Sequence, residues 1–184
     1  RELERCCDKR YIYTSDLYRE TNYSEWDSTA NPIDTTALAS GDFIHDEFIP
    51  ISCATADTAG LGEIVALKLV EHETGSLQKK DLRIWVFNTA VGTIAKNAAR
   101  AWTAAQSLVI AGYIDVVTAD YLDVGATDSM IFKDLRNGTT AGGQVVSLNT
   151  VTASNTCYLA IEARAAATFD NNAAIRVRLK IRRT

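Results

Sequence analysis

The stretch Ile175-Arg176-Val177-Arg178-Leu179-Lys180-Ile181 alternates apolar and basic residues without a fault. Ile175, Val177, Leu179 and Ile181 fall on one side of an extended chain. Arg176, Arg178, Lys180 and, one step on, Arg182 fall on the other. A period of two over this length predicts a β-strand with one face on a core. Its other face is a ladder of like charges about 7 Å apart, two strand rises. Such a row repels itself unless solvent, acidic neighbours or a partner offset it. Three readings of the ladder stand side by side: a solvated face, contact with an acidic protein surface, and contact with nucleic acid. The last is the weakest, because no aromatic platforms alternate with the cations.

Working outward, the same signal recurs. Thr156 to Arg164 alternates through Cys157, Leu159, Ile161 and Ala163. Leu82 to Phe87 sets Leu82, Ile84 and Val86 against Arg83, Trp85 and Phe87. Glu63 to Val70 is apolar on nearly both faces, which predicts a central strand. Phe43 to Ile51 is a strand candidate interrupted by Pro50. Leu108 to Val117, Tyr121 to Val124, Asp128 to Leu135 and Gln144 to Leu148 complete the set, with Asn137-Gly138 as a turn signal. Thr93 to Ser107 is rich in alanine and reads two ways. It is one amphipathic helix, or a loop ending in a short helical turn from Thr103; the strand that follows at once favours the second. Eight or so strands, one short helical element and no βαβ alternation predict an all-β fold, a jelly-roll-like β-sandwich. A β-barrel is the alternative.

The chain has 184 residues, enough for one domain and an arm. An apolar fraction of 47% excludes wholesale disorder. A net charge of −4 argues against a general nucleic-acid binder. No apolar run approaches the roughly 20 residues that cross a bilayer, so no membrane partner is expected. The chain opens on Arg1, so the true start is expected to lie elsewhere or to have been removed. Residues 1–39 follow no sustained period and read as an extended arm, with a short helix before Cys7 and a short strand near Tyr11 to Tyr13. Residues 40–184 read as the sandwich. The arm carries Tyr11, Tyr13, Tyr18, Tyr23 and Trp26 among five basic residues, the composition of a contact surface. A strap over the chain's own core is the equal alternative.

A search for chemistry finds little. His45 lies between carboxylates in Phe43 to Phe48 but lacks a second nearby His or Cys for zinc. His72 is expected to be solvated. Cys6, Cys7, Cys53 and Cys157 contain no C-x-x-C pair and read as reduced thiols, with Cys53 and Cys157 in the core. The aspartates at 115, 120, 123 and 128 are too irregularly spaced for a calcium loop. No nucleophile elbow or phosphate cradle is present. Trp85 and Trp102 read as core or near-core aromatics. The sequence therefore predicts no enzyme, no cofactor and no metal.

From Ala39 onward the chain resembles the small β-sandwich head decoration (cement) proteins of tailed phages. The resemblance rests on Ala39-Ser40-Gly41-Asp42, Glu63 to Leu69, Leu82 to Asn88, Gly92-Thr93, Asn97-Ala98-Ala99, Trp102 to Gly112, Tyr121 to Gly125 and Tyr158 to Ala160. It departs from the pattern at Trp102 to Ala105, where that family carries Ser and Asp, and in its longer arm. The resemblance implies a virion protein made in the host cytoplasm. It would sit on the outer capsid surface, with the major capsid protein as partner and a homotrimer as the favoured oligomer. On that view Tyr11, Tyr13, Tyr18, Tyr23 and Trp26 anchor the arm, and the Arg176, Arg178, Lys180 and Arg182 ladder meets acidic capsid loops. The rivals are another virion part (neck, tail or fibre base) and a carbohydrate-binding sandwich using Tyr113, Tyr121 and Tyr158.

Overall fold

The computed structural model describes residues 19–20, 24–28, 32–52, 61–75, 78–135, 146–149, 155–172 and 174–183. The expected helix before Cys7, the strand at Tyr11 to Tyr13, the Asn137-Gly138 turn and Cys53 lie outside them. The elements run β1 (Arg19–Glu20), β2 (Ser24–Asp27), β3 (Ile49–Ile51), β4 (Leu61–His72), β5 (Leu82–Phe87), α1 (Ala104–Leu108) and β6 (Ile110–Val116). Then follow β7 (Leu122–Asp123), β8 (Asp128–Asp134), β9 (Val146–Asn149), β10 (Cys157–Ala163) and β11 (Ile175–Arg183).

Two antiparallel sheets result. The first has the order β1-β11-β4-β8-β7, with β2 also on β11 and β9 also on β4; the second has the order β3-β10-β5-β6. The pairing is nested. β2 lies on β11, β3 on β10, β4 on β8 and β5 on β6. One long hairpin, turned back between β5 and β6, has rolled into a sandwich: the jelly-roll plan. The inward side chains of both sheets meet in one core. Leu67, Leu69, Ile131, Val177 and Leu179 come from the first sheet, and Ile84, Val86, Ile114, Leu159 and Ile161 from the second.

The central strand shows why its pattern runs apolar on both faces. Lys180 lies opposite Ala66 and Ile181 opposite Ile64, so Val65 is an extra residue in β4. Such a bulge shifts the alternation by one. Ile64 and Leu67 can then both face the core, and Ile64 to Leu67 are all buried.

The span read as an arm enters the sandwich. β1 and β2 both pair with β11. The Ile175 amide donates to Ser28 Oγ at 3.0 Å, and the Ser28 amide donates to the Ile175 carbonyl at 2.9 Å. Ile33 and Leu38 join the core.

Residues 88–103 form a loop, and the helix starts where Thr103 caps it. Thr103 Oγ1 accepts from the Gln106 amide (3.2 Å), and Gln106 Oε1 accepts from the Thr103 amide (2.9 Å), a reciprocal capping box. The loop covers the outer side of the second sheet and builds a smaller apolar cluster of Phe43, Phe48, Phe87, Ile94 and Ala160, with Trp85 and Trp102 against it.

The core assignment has a direct test. Leu179→Ala should lose about 2–5 kcal/mol in chemical denaturation. Leu108→Ala, at a site 86% exposed, should stay within about 0.5 kcal/mol. Equal losses at the two sites would contradict this core.

Candidate interaction surfaces

The histidines sit apart. His45 is buried, and its Nδ1 accepts from the Glu47 amide at 3.1 Å. His72 is exposed, and its Nδ1 lies 2.5 Å from Asp128 Oδ1. Among the described residues no three potential metal ligands cluster. Cys157 is fully buried in the core, as its sequence pattern predicts, and burial pushes its thiol up to about 12. That thiol has no nucleophilic character near neutral pH. No helix among the described residues is long and apolar enough to cross a membrane.

The basic ladder lies on the outer face of the first sheet, in its middle. Arg176 is exposed, and Arg178, Lys180 and Arg182 are half-buried. Register supplies acidic neighbours on both sides. Asp27 lies opposite Arg176, Glu25 opposite Arg178, Glu20 opposite Arg182, and Glu63 opposite Arg182 on the β4 side. Arg182 Nη1 reaches Glu63 Oε2 at 3.3 Å. The Arg182–Glu63 pair offsets part of the ladder's self-repulsion within the chain. Of the expected arm anchors, Trp26 falls in β2 opposite Val177. Tyr11, Tyr13, Tyr18 and Tyr23 lie outside the described residues.

An apolar patch occupies the other end of that outer face. Leu122 is 63% exposed, Val124 54% and Phe132 59%. Leu122 lies opposite Met130, and Phe132 stands two residues further along the same face of β8, opposite Lys68. These three are clustered at a sheet edge, where β7 is the last strand. Scattered exposed apolar residues are ordinary on a monomer; three along one sheet edge make this a candidate contact surface. Sequence reading missed the patch. The available signal was Leu122 and Val124 at a spacing of two beside a strand carrying Met130 and Phe132.

The outer side of the second sheet is covered largely by its own side chains, although Trp102 Nε1 is buried there without a hydrogen-bond partner among the described residues. Trp85 packs edge-on to Trp102 with ring centroids 5.6 Å apart, and at 5.3 Å from Tyr113. The Arg100 and Arg83 guanidinium carbons stand 5.0 and 5.5 Å from the Trp85 ring centre. Trp85 Nε1 donates to buried Glu162 Oε2 at 2.6 Å, and Arg100 donates to both Glu162 oxygens at 3.1 and 2.9 Å. Arg83 grips Asp115 through two bonds of 2.7 and 2.9 Å. The tyrosines weighed for sugar stacking do not form a platform. Tyr121 is buried, with its hydroxyl donating to the Lys80 carbonyl at 2.9 Å, and Tyr158 is half-buried in the smaller cluster.

Several residues behind the phage resemblance are conformational fixtures. Gly41 has φ +97°, open to glycine at little cost. Asp42 Oδ2 accepts from the Ala39 amide at 2.7 Å, and the Gly41 carbonyl accepts from the Arg100 amide at 2.9 Å. The Asn97 amide donates to the Phe43 carbonyl at 2.8 Å, and Asn97 Nδ2 to Thr36 Oγ1 at 2.7 Å. These bonds stitch the 88–103 loop to the turn before β3.

No known protein family matches the sequence, and no curated protein matches it. Among solved structures, one of Desmodium yellow mottle tymovirus overlaps 94% of this chain and 90% of its own at 15% identity, with a TM-score of 0.27. A structure of infectious bursal virus derived T=1 particles overlaps 95% of this chain at 11% identity, with a TM-score of 0.20. The Gx strain of infectious bursal disease virus gives 16% identity and a TM-score of 0.18. This chain spans less than half the length of the two bursal virus chains, 43% and 45%. Overlaps this loose do not bear on function.

Glu162 is the hub of the second sheet's outer side. Glu162→Ala should cost about 1.5–3 kcal/mol, the range for hydrogen bonds to a charged group. Tryptophan emission should change as the Trp85 indole loses its acceptor. An unchanged stability together with an unchanged spectrum would contradict this role.

Proposed function

We propose that this chain is a structural protein of a virion, packed through its sandwich against other capsid subunits. One observation carries the reading: a rigid jelly roll that presents Leu122, Val124 and Phe132 together at a sheet edge. A pre-ordered sandwich loses little conformational freedom on docking, and many copies on one lattice reinforce each other. The jelly-roll plan is found in viral capsid proteins, and also in lectins and cupins, so it supports this reading by analogy of fold. No catalytic role is proposed.

The finer role is that of a decoration protein on the outer capsid surface, with the major capsid protein as partner and a trimer as the working unit. Its support is the sequence resemblance from Ala39 onward. The Leu122–Phe132 edge joins the arm aromatics and the basic ladder as the surfaces that would meet the shell. A second reading, a subunit that builds the shell itself, is favoured by the nested jelly-roll pairing.

The purified chain, alone and mixed with preformed shells, separates these readings by light scattering and electron microscopy. Saturable binding to shells, lost in a Leu122→Asp, Phe132→Asp double variant that still folds, is the expected result for decoration. Closed particles formed by the chain alone would replace decoration with the shell-subunit role. A chain that shows no binding to shells and no assembly of its own would overturn the virion reading.

A further inference from the structure

Four charged side chains converge at the C-terminal end of β4. Glu71 and Glu73 are fully buried, and so is nearly all of the Lys80 ammonium. Lys80 Nζ lies 3.1 Å from Glu71 Oε1 and pairs with Glu73 Oε1 as well. Glu71 Oε2 accepts from the Lys80 amide at 3.2 Å. Glu73 Oε2 accepts from the Asp170 amide at 3.0 Å. Asp170 itself is at the surface, where its carboxylate accepts from the Thr74 amide at 2.8 Å and the Gly75 amide at 2.6 Å.

Two buried carboxyl groups therefore face one buried ammonium, with the Asp170 carboxylate at the surface beside them. Fully ionised, the buried part carries an excess of one negative charge, with the surface Asp170 carboxylate adding to it, which is costly in a site closed to water. A proton relieves it, and Glu73 is the place where that proton is held best. Burial, and then the hydrogen bond with Asp170, raise Glu73 to about 8. The same shared hydrogen bond and the Thr74 amide hold Asp170 well below the usual carboxylate range.

Each packed element contributes a facing group. Glu71 comes from β4 itself, Lys80 from the β4–β5 connection and Asp170 from the β10–β11 connection. Tyr121 comes from the residue before β7; burial, followed by nearby Glu71, pushes its phenol well up. The neighbouring His72 pairs with Asp128 at the surface instead.

The cluster also holds both ends of the β7–β8 turn. Tyr121, next to Leu122, donates to the Lys80 carbonyl at 2.9 Å. The Glu73 amide donates to the Thr127 carbonyl at 2.9 Å, just before β8. We propose that Glu71, Glu73, Lys80 and Asp170 form a proton-held clasp that regulates the exposed Leu122–Phe132 edge. With the proton on Glu73 the β7–β8 segment is fixed at Lys80 and Glu73; without it the edge loosens. The regulatory part rests on the docking role proposed for that edge.

The sign follows from linkage. Glu73 binds its proton more tightly folded than unfolded, so its contribution to stability is complete below about pH 4.5 and is lost as pH rises toward about 8. The slope approaches a tenfold loss in the folded-to-unfolded ratio per pH unit. Asp170 works in the opposite sense but only at pH values below its ordinary 3.8, outside this window.

Urea denaturation of the full chain across that window should show this slope, and Glu73→Gln should flatten it. An equal slope in the variant overturns the clasp. If Glu73→Gln does not fold, infrared spectra of wild-type protein carrying 13C-labelled glutamate decide the matter. A protonated carboxyl band at mildly acidic pH that disappears above pH ~8 is expected, and a spectrum of ionised carboxylates throughout overturns the proposal. Methyl NMR signals of Leu122 and Val124 should shift with the same midpoint; methyls that stay fixed while Glu73 titrates overturn control of the edge. These readouts need no partner, so their failure is distinct from a failure to bind shells.

Discussion

Every inward side chain of the first sheet depends on the register between β4 and β11. A slip of one residue would turn Val177, Leu179 and Ile181 to solvent and the arginines into the core. Two things hold the register. The bulge at Val65 lets Ile64 and Leu67 both reach the core while their partners keep strict alternation. Charge adds to this: Arg182 of β11 and Glu63 of β4 lie opposite each other and their side chains meet at 3.3 Å. The ladder that reads as an electrostatic burden is, in the folded chain, a code for alignment.

Strands were legible where their two faces differ in chemistry. β5, β10 and β11 alternate cleanly, and their bounds follow closely from that pattern. The capped helix was legible too, because Thr103 and Gln106 sit three residues apart, the spacing a capping box needs. β1 and β2 were not. They are short, they lack alternation, and their reason for being strands is β11, some 150 residues later in the chain. Local pattern contains no trace of a partner so far away.

The contact surfaces divide in the same way. Leu122, Val124 and Phe132 carry the spacing of any core face; only their place at the last strand of a sheet leaves them exposed. Glu71 and Glu73 read as part of a polar connection, yet Lys80 and Asp170 enclose them from two other segments. The residues behind the phage resemblance were easy to find, and several of them hold the 88–103 loop in place. A motif can therefore mark how a chain turns without marking what it touches.

The nested pairing has a consequence for how the protein is made. β2 and β11 come from opposite ends of the chain, and the last of these is synthesised last. During translation the first sheet lacks β11, the neighbour of its central strand, and β4 waits with one edge open. Contacts between such distant segments form slowly, after the ends have met. The outer face of that sheet is therefore complete only once β11 has been made. That face is thus set by the last pairing of the sheet to form, and not by any of its strands alone.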